Sequence, residues 1–361
     1  MLKQQATAGF FKYTLSFDDM LLVPKFSDIN SRGEIDLTSK IGDLDFKLPI
    51  ISSPMDTVTE VSMAKTMSEH GGLGIIHRYN SISEQVDMAE QVISAGKTAS
   101  AAIGVSGDYL DRARCLVSSG VKILCVDVAH GHHSMMKKAL GELRDVFGSD
   151  VHIIAGNIAI DPGYIDLASW GADAIRVGIG GGSICSTRIQ TGHGVPTFQS
   201  ISACSIARKM IKAGQREAPE GYRDVPIIAD GGIKNSGDIV KSLAIGADFV
   251  MLGSMLAATS DTPGQVMENN DGDMYKVYRG MASTEAQIAW RGAARSLEGV
   301  STTIKYKGST SDQLDNIKQN VRSGLSYSGA RNIPEFRERC ELVVQTAAGQ
   351  SESSTHIFNK K

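Results

Sequence analysis

Cysteine is scarce in this chain. There are five in 361 residues, an odd number, widely scattered and without a CxxC pair. That composition excludes a disulfide framework and a structural zinc site. Long apolar runs are missing too: the longest are strand-length and broken by Gly or Asp, so no segment is expected to span a membrane. The opening MLKQQATAGFFKYTLSF lacks the apolar core and small-residue cleavage site of a signal peptide, and a cytoplasmic location is expected. No basic block is present and the formal charge is −3, which gives nucleic-acid binding little support.

What the chain does have is a recurrent short apolar run. LPIISS (48–53), GLGIIH (72–77), ASAAIGV (99–105), ILCVDV (123–128), HIIAGN (152–157), AIRVGI (174–179), PIIADGG (226–232) and FVMLGS (249–254) make eight candidate strands. Segments with apolar residues at helical spacing lie between them, for example SEQVDMAEQVISAG and MKKALGELRDVF. Strands buried on both faces and alternating with helices read as parallel βα units, and eight of them predict an α/β (β/α)8 TIM barrel. A doubly wound open sheet is the alternative, disfavoured because the first run has no GxGxxG turn. One catalytic domain is expected over 1–361. Residues 259–308, rich in Gly, Ser and charge, read as a flap inserted over the barrel mouth after strand 8, and 350–361 as a flexible tail.

Polar and glycine residues gather at the C-terminal ends of the runs, the end at which barrel enzymes build their sites. Cys185 stands out among them because it follows the glycine run GGGS at 180–183. Backbone N–H groups in such a loop approach an anion closely, and a thiol beside them faces whatever the anion is attached to. Cys125 and Cys204, in apolar segments, read as small buried hydrophobes. The N–H groups of Gly232, Gly253 and Ser254, with the Ser183 hydroxyl, are candidates for a phosphate cradle, since barrels bind phosphate after strands 7 and 8. Asp230, at the end of strand 7, could accept from a ribose diol; its plain alternative is a loop-capping carboxylate. Together these point to a ribonucleotide monophosphate. The plain reading of the glycines is a turn with positive φ; close backbone approach to a ligand is preferred for 180–182, and the two readings stand level for 253.

Seven stretches carry a resemblance: FDDMLLVP (17–24), PMDTVTE (54–60), GSICST (182–187), IADGGI (228–233), ADFVMLGSMLA (247–257), YRGMAS (278–283) and YKGS (306–309). In this order they resemble the inosine monophosphate dehydrogenase and guanosine monophosphate reductase superfamily across nearly the whole chain. The resemblance implies that Cys185 adds to purine C2, with Thr187 assisting proton transfer. It implies that Ser183, Gly232, Gly253, Ser254 and Tyr278 hold the phosphate, that Asp230 holds the ribose, and that Met281, Ala282 and Ser283 border the base. Asp127, Ala129, Gly178 and Gly180 would border the nicotinamide cofactor, and the carbonyls of Gly180, Gly182 and Cys185 would bind a potassium ion. A homotetramer acting on GMP or IMP is implied as well.

Within the superfamily the stretches divide. HGGLGIIHR (70–78), RSGLSYSGA (322–330) and TAAGQSESSTH (346–356) are similar to the dehydrogenase branch. The catalytic pieces resemble the reductase: DVAHG (127–131), STRIQTGHGVP (186–196), and Glu298 in SLEG as the carboxylate that works with Thr187. Dehydrogenases carry an Arg-Tyr pair in a flap after the GMxS element, whereas here that interval reads TEAQIAWRGAARSLEG. The cystathionine-β-synthase (CBS) repeats that many dehydrogenases insert before strand 3 are missing, since about twenty residues separate His77 from that strand. The expected activity is NADPH-dependent GMP reduction. The alternatives are NAD-dependent IMP oxidation, with Arg291 or Arg295 activating water, and nucleotide binding without turnover. His130, His132 and His133 are expected to line the cofactor side of the mouth rather than to bind metal, and Trp290 is open between lid anchor and packing residue.

Overall fold

A computed structural model describes residues 13–292 and 299–353. All eight runs form strands: β1 (Ile50–Ser52), β2 (Leu73–Ile76), β3 (Ser100–Ile103), β4 (Ile123–Asp127), β5 (His152–Ile158), β6 (Ala174–Val177), β7 (Ile227–Asp230) and β8 (Phe249–Leu252). Each pairs in parallel with its sequence neighbour, and β8 pairs with β1 to close the barrel. β2, β3, β6 and β8 are buried along their whole length, which is why they read as unbroken apolar runs. The link from β2 to β3 is taken up by one helix, Ile82–Ser94, whose N-terminus is closed by reciprocal bonds between Ser81 and Glu84.

Apolar side chains form two layers. One packs the outer faces of the strands against the helices; the other fills the barrel. Ahead of β1 a hairpin, Ser39–Ile41 with Leu44–Phe46, closes the N-terminal end. Its Ile41 and Phe46 join the interior layer, and the Phe46 ring meets Phe249 edge-on at 5.6 Å.

Residues 259–308, read from the sequence as a loop-like insertion, contain regular structure. Met267–Glu268, Met274–Arg279 and Ser301–Lys305 form an antiparallel sheet, and Thr284–Arg291 is a helix capped by the Ser283 hydroxyl. Residues 350–352 of the expected tail complete the helix Ala347–Glu352, while 354–361 lie outside the described residues. Among the described residues no helix is long and apolar enough to cross a membrane.

Candidate active site

A cleft of about 360 Å³ opens at the C-terminal ends of the strands. The loop leaving β6 is shaped at both ends. Gly178 donates its N–H to the Ile158 carbonyl, and Ile179 bridges to Val195, so residues between them fold out and back. Within that loop Cys185 closes a turn onto the Gly182 carbonyl at 3.1 Å. Its half-buried thiol lies 3.2 Å from the Thr187 hydroxyl, so a proton can pass between the groups. Cys125 and Cys204 are buried as expected, and burial pushes the Cys125 thiol up to about 12.

The glycines divide by mechanism. Gly180 does take positive φ, at 79°, so at this one position of the three the turn reading applies and the expectation is corrected. Gly181 is held to glycine by space: a Cβ there would stand 2.6 Å from the Thr197 hydroxyl. At Gly253 a Cβ would reach 3.0 Å from the Tyr278 hydroxyl.

Asp230 is bound by two donors on one oxygen: Oδ2 accepts from Asn157 Nδ2 at 2.7 Å and from Arg176 Nη2 at 2.9 Å. Arg176 also pairs with the Asp127 carboxylate, so one buried guanidinium joins the ends of β4 and β7. Burial opposes its charge, but Asp230 and then Asp127 outweigh that and raise its pKa above the ordinary value. Arg78, after β2, donates to the Asp127 carbonyl at 3.1 Å, and its Nε lies 3.8 Å from the carboxylate, too far for a hydrogen bond. Three buried polar atoms here have no hydrogen-bond partner among the described residues: Arg176 Nε, Arg78 Nε and Asn157 Oδ1. Such atoms fit a polar ligand seated among them.

The segment after β8 supplies the opposite wall. Tyr278, Gly280, Met281, Ala282 and Gly299 all line the cleft. Burial pushes the Tyr278 hydroxyl up to about 12, and a hydrogen bond with Ser183 acts in the other direction. The wall is clipped to the barrel by Arg279, which places two N–H groups on Asp56 Oδ2, and by the Thr57 hydroxyl, which accepts the Arg279 N–H at 3.2 Å. It is also joined to the cysteine loop: Cys185 bridges antiparallel to Gly299, and Val300 donates to the Ile184 carbonyl at 3.0 Å.

Of the residues singled out from the sequence, Cys185, Thr187, Ser183, Asp230, Gly232, Gly253, Ser254, Tyr278, Met281, Ala282, Asp127, Ala129, Gly178, Gly180 and Gly182 all line this cleft. Ser283 does not: it is fully buried, capping the helix it begins. Glu298 and Arg295 lie outside the described residues. The histidines are also elsewhere, since none lines the cleft. His133 caps the helix Ser134–Phe147 and His132 pairs with Asp166 at 2.8 Å, so neighbouring backbone and charge claim them. Sequence reasoning passed over Arg176, Arg78 and Tyr79. For Arg176 the signal was a lone cation inside the apolar run AIRVGI.

Residues 14–356 match the family model described as "IMP dehydrogenase / GMP reductase domain". The chain belongs to that family. Relatives carry both names. An inosine-5'-monophosphate dehydrogenase of Nitrosopumilus maritimus is 32% identical over 96% of this chain and 98% of its own, in an alignment whose 483 positions include residues this chain lacks. A GMP reductase of Albidiferax ferrireducens is 34% identical over 95% and 98%. In three dimensions a GMP reductase of Trypanosoma brucei, crystallised with guanosine 5'-monophosphate, superposes with a TM-score of 0.88 at 28% identity, covering 96% of this chain and 98% of that one. As a member of the family the protein is an oxidoreductase, and the chemistry common to the family draws on nicotinamide dinucleotides.

Proposed function

We propose that this protein is a GMP reductase, which converts GMP to IMP and ammonia at the expense of NADPH. The observation that carries the choice is the interval 284–299, TEAQIAWRGAARSLEG, which has no Arg-Tyr pair to activate water and carries Glu298 as its penultimate residue. Glu298 precedes Gly299, whose backbone pairs with that of Cys185, and this supports giving it the carboxylate's part in proton transfer.

The nucleotide phosphate sits on the loops of Ser183, Gly232, Gly253 and Ser254, with Tyr278 donating. Asp230 Oδ1 takes the ribose hydroxyls while Arg176 and Asn157 hold Oδ2. Met281 and Ala282 border the base. The Cys185 thiolate adds to purine C2 as the C2–N bond breaks, and ammonia departs with a proton relayed through Thr187 and Glu298. Asp127, Ala129, Gly178 and Gly180 would hold a reduced dinucleotide, which when bound would supply hydride to C2, so that the C–S bond breaks and the thiolate returns to Cys185. The unpartnered Arg78 Nε and Asn157 Oδ1 support a polar group on that side.

The carbonyls of Gly180, Gly182 and Cys185 are the right donor type for a potassium ion, but three oxygens alone are too few for a hard cation's shell, and further oxygens would have to complete it. A homotetramer and a cytoplasmic location belong to the same reading.

The second reading, IMP dehydrogenase, is favoured by HGGLGIIHR and RSGLSYSGA, with Arg291 or Arg295 as the water-activating group. Two reactions decide. Purified protein with potassium receives GMP and NADPH in one cuvette, IMP and NAD in the other. Loss of reduced-nicotinamide absorbance with ammonia release in the first is expected; a gain in the second, with none lost in the first, overturns the reductase.

A further inference from the structure

The half of the cleft read as the seat of the nucleotide phosphate has no cation of its own among the described residues. The loop 180–183, Gly232, Gly253, Ser254 and Tyr278 wall it, and the two cations that do line the cleft, Arg78 and Arg176, both stand on Asp127. Two ammonium groups lie behind this half instead. Lys276 precedes Tyr278 by two residues on the strand Met274–Arg279, where both side chains point to the covered face, about 7 Å apart along the backbone. Lys276 is only 2% exposed, and its ammonium donates to the carbonyls of Thr259 and Thr262. Lys307 donates its backbone N–H to the Ala258 carbonyl at 2.8 Å and its ammonium to the carbonyl of Ser254, itself a cradle residue. Both lysines therefore grip the segment that follows β8. That segment opens with a tight turn, in which the Gly253 carbonyl accepts from Leu256 at 3.1 Å and Ala257 at 2.8 Å, and it reverses at Ala258, whose φ of 60° is the one positive value outside glycine among the described residues.

A buried ammonium ordinarily has a carboxylate against it, since backbone carbonyls carry only partial charge. Among the described residues neither lysine has that partner. Asp261 acts on Lys276 through space, but its oxygens are taken by the Ser62 and Ser260 hydroxyls, and no carboxylate acts on Lys307. Burial lowers the pKa of both, the mark of positive charge left uncompensated. A phosphate dianion on the other side of the loop is the missing negative charge. We propose that Lys276 and Lys307 give the phosphate cradle its positive field from behind the loop, and so set the site's preference for a phosphate dianion over an uncharged nucleoside, without either ammonium touching the ligand. The proposal rests on the reading of the glycine loops as the seat of a nucleotide phosphate. It gives Lys307, in the stretch YKGS, a part that the resemblance left unassigned.

The test uses Cys185→Ala protein as the parent, titrated by calorimetry with GMP and, by displacement, with guanosine, while phosphorus NMR follows the ionisation of bound GMP. The parent is expected to prefer GMP by more than about a hundredfold and to keep its phosphate dianionic below the free value of about 6. Lys276→Gln retains a donor and removes the charge. It weakens GMP by about ten- to hundredfold, moves the phosphate's titration back towards about 6, and leaves guanosine within about twofold. Lys276→Arg, which keeps the charge, holds that titration below the free value. Lys307→Met, at a less buried position, weakens GMP by about three- to tenfold in the same pattern, and it decides the matter if thermal melting shows that Lys276→Gln does not fold. Equal weakening of GMP and guanosine overturns the proposal. If the parent binds GMP no better than guanosine, the phosphate seat is misread and the lysines lose their part with it; a preference that survives both substitutions removes the lysines alone.

Discussion

Cys185 and Gly299 face each other across an antiparallel bridge, so the loop bearing the thiol and the returning strand of the inserted sheet are one continuous piece of backbone pairing. The thiol is thus positioned by main chain rather than by its own side-chain packing. Cys185→Ala is expected to abolish turnover and leave the loop in place, with GMP affinity within about threefold of the parent. Calorimetry for binding and steady-state rates for turnover check this; substantial residual activity removes the covalent route.

Glu298→Gln tests the proton relay. Single-turnover ammonia release is expected to slow by about 10²–10⁴, the usual contribution of general acid–base catalysis, while GMP affinity hardly changes. A single-turnover rate equal to the parent's would take Glu298 out of the mechanism.

Arg176 joins two partly buried carboxylates in the cleft, and its own side chain is only 7% exposed. Arg176→Met leaves Asp127 and Asp230 as close like charges without their counter-ion. Stability is expected to fall by roughly 3–5 kcal/mol, as when one partner of a buried ion pair is removed. Urea denaturation measures it, and a loss below about 1 kcal/mol would show that the guanidinium contributes little.

Tyr278 gives a pH signature with a definite sign. The unfolded phenol ionises near its ordinary value of 10, whereas the native one holds its proton to about 12. Between these values the native state binds more protons than the unfolded state, so stability falls as pH rises through the window. Tyr278→Phe removes this slope, about 3 kcal/mol across the full window. It also raises the KM for nucleotide if the hydroxyl serves the phosphate. Thermal melts at alkaline pH with the same slope in both proteins would contradict the first expectation.

Much of this was legible in the chain. Eight apolar runs alternating with helical segments predict the barrel, and Asp127, Cys185 and Asp230 sit where strands end, so their convergence follows from parallel βα order. Arg176 escaped because a strand buried on both faces reads as apolar, and nothing local says that two distant carboxylates neutralise its one cation. The inserted sheet escaped for a different reason. Ser301–Lys305 exposes residues without a clean alternation, so its strand character comes from pairing with Met274–Arg279 rather than from its own pattern. The histidines at 132 and 133 were misplaced because residue type shows what a ring can do, not which helix end or carboxylate claims it.

The hairpin that seals the far end of the barrel has a consequence for traffic. With Ile41 and Phe46 packed beneath Phe249, the interior offers no rear exit, and whatever enters the cleft must leave through the opening by which it came. Arrival and departure share one face of the barrel, so exchange of ligands is confined to the loops at the C-terminal ends of the strands.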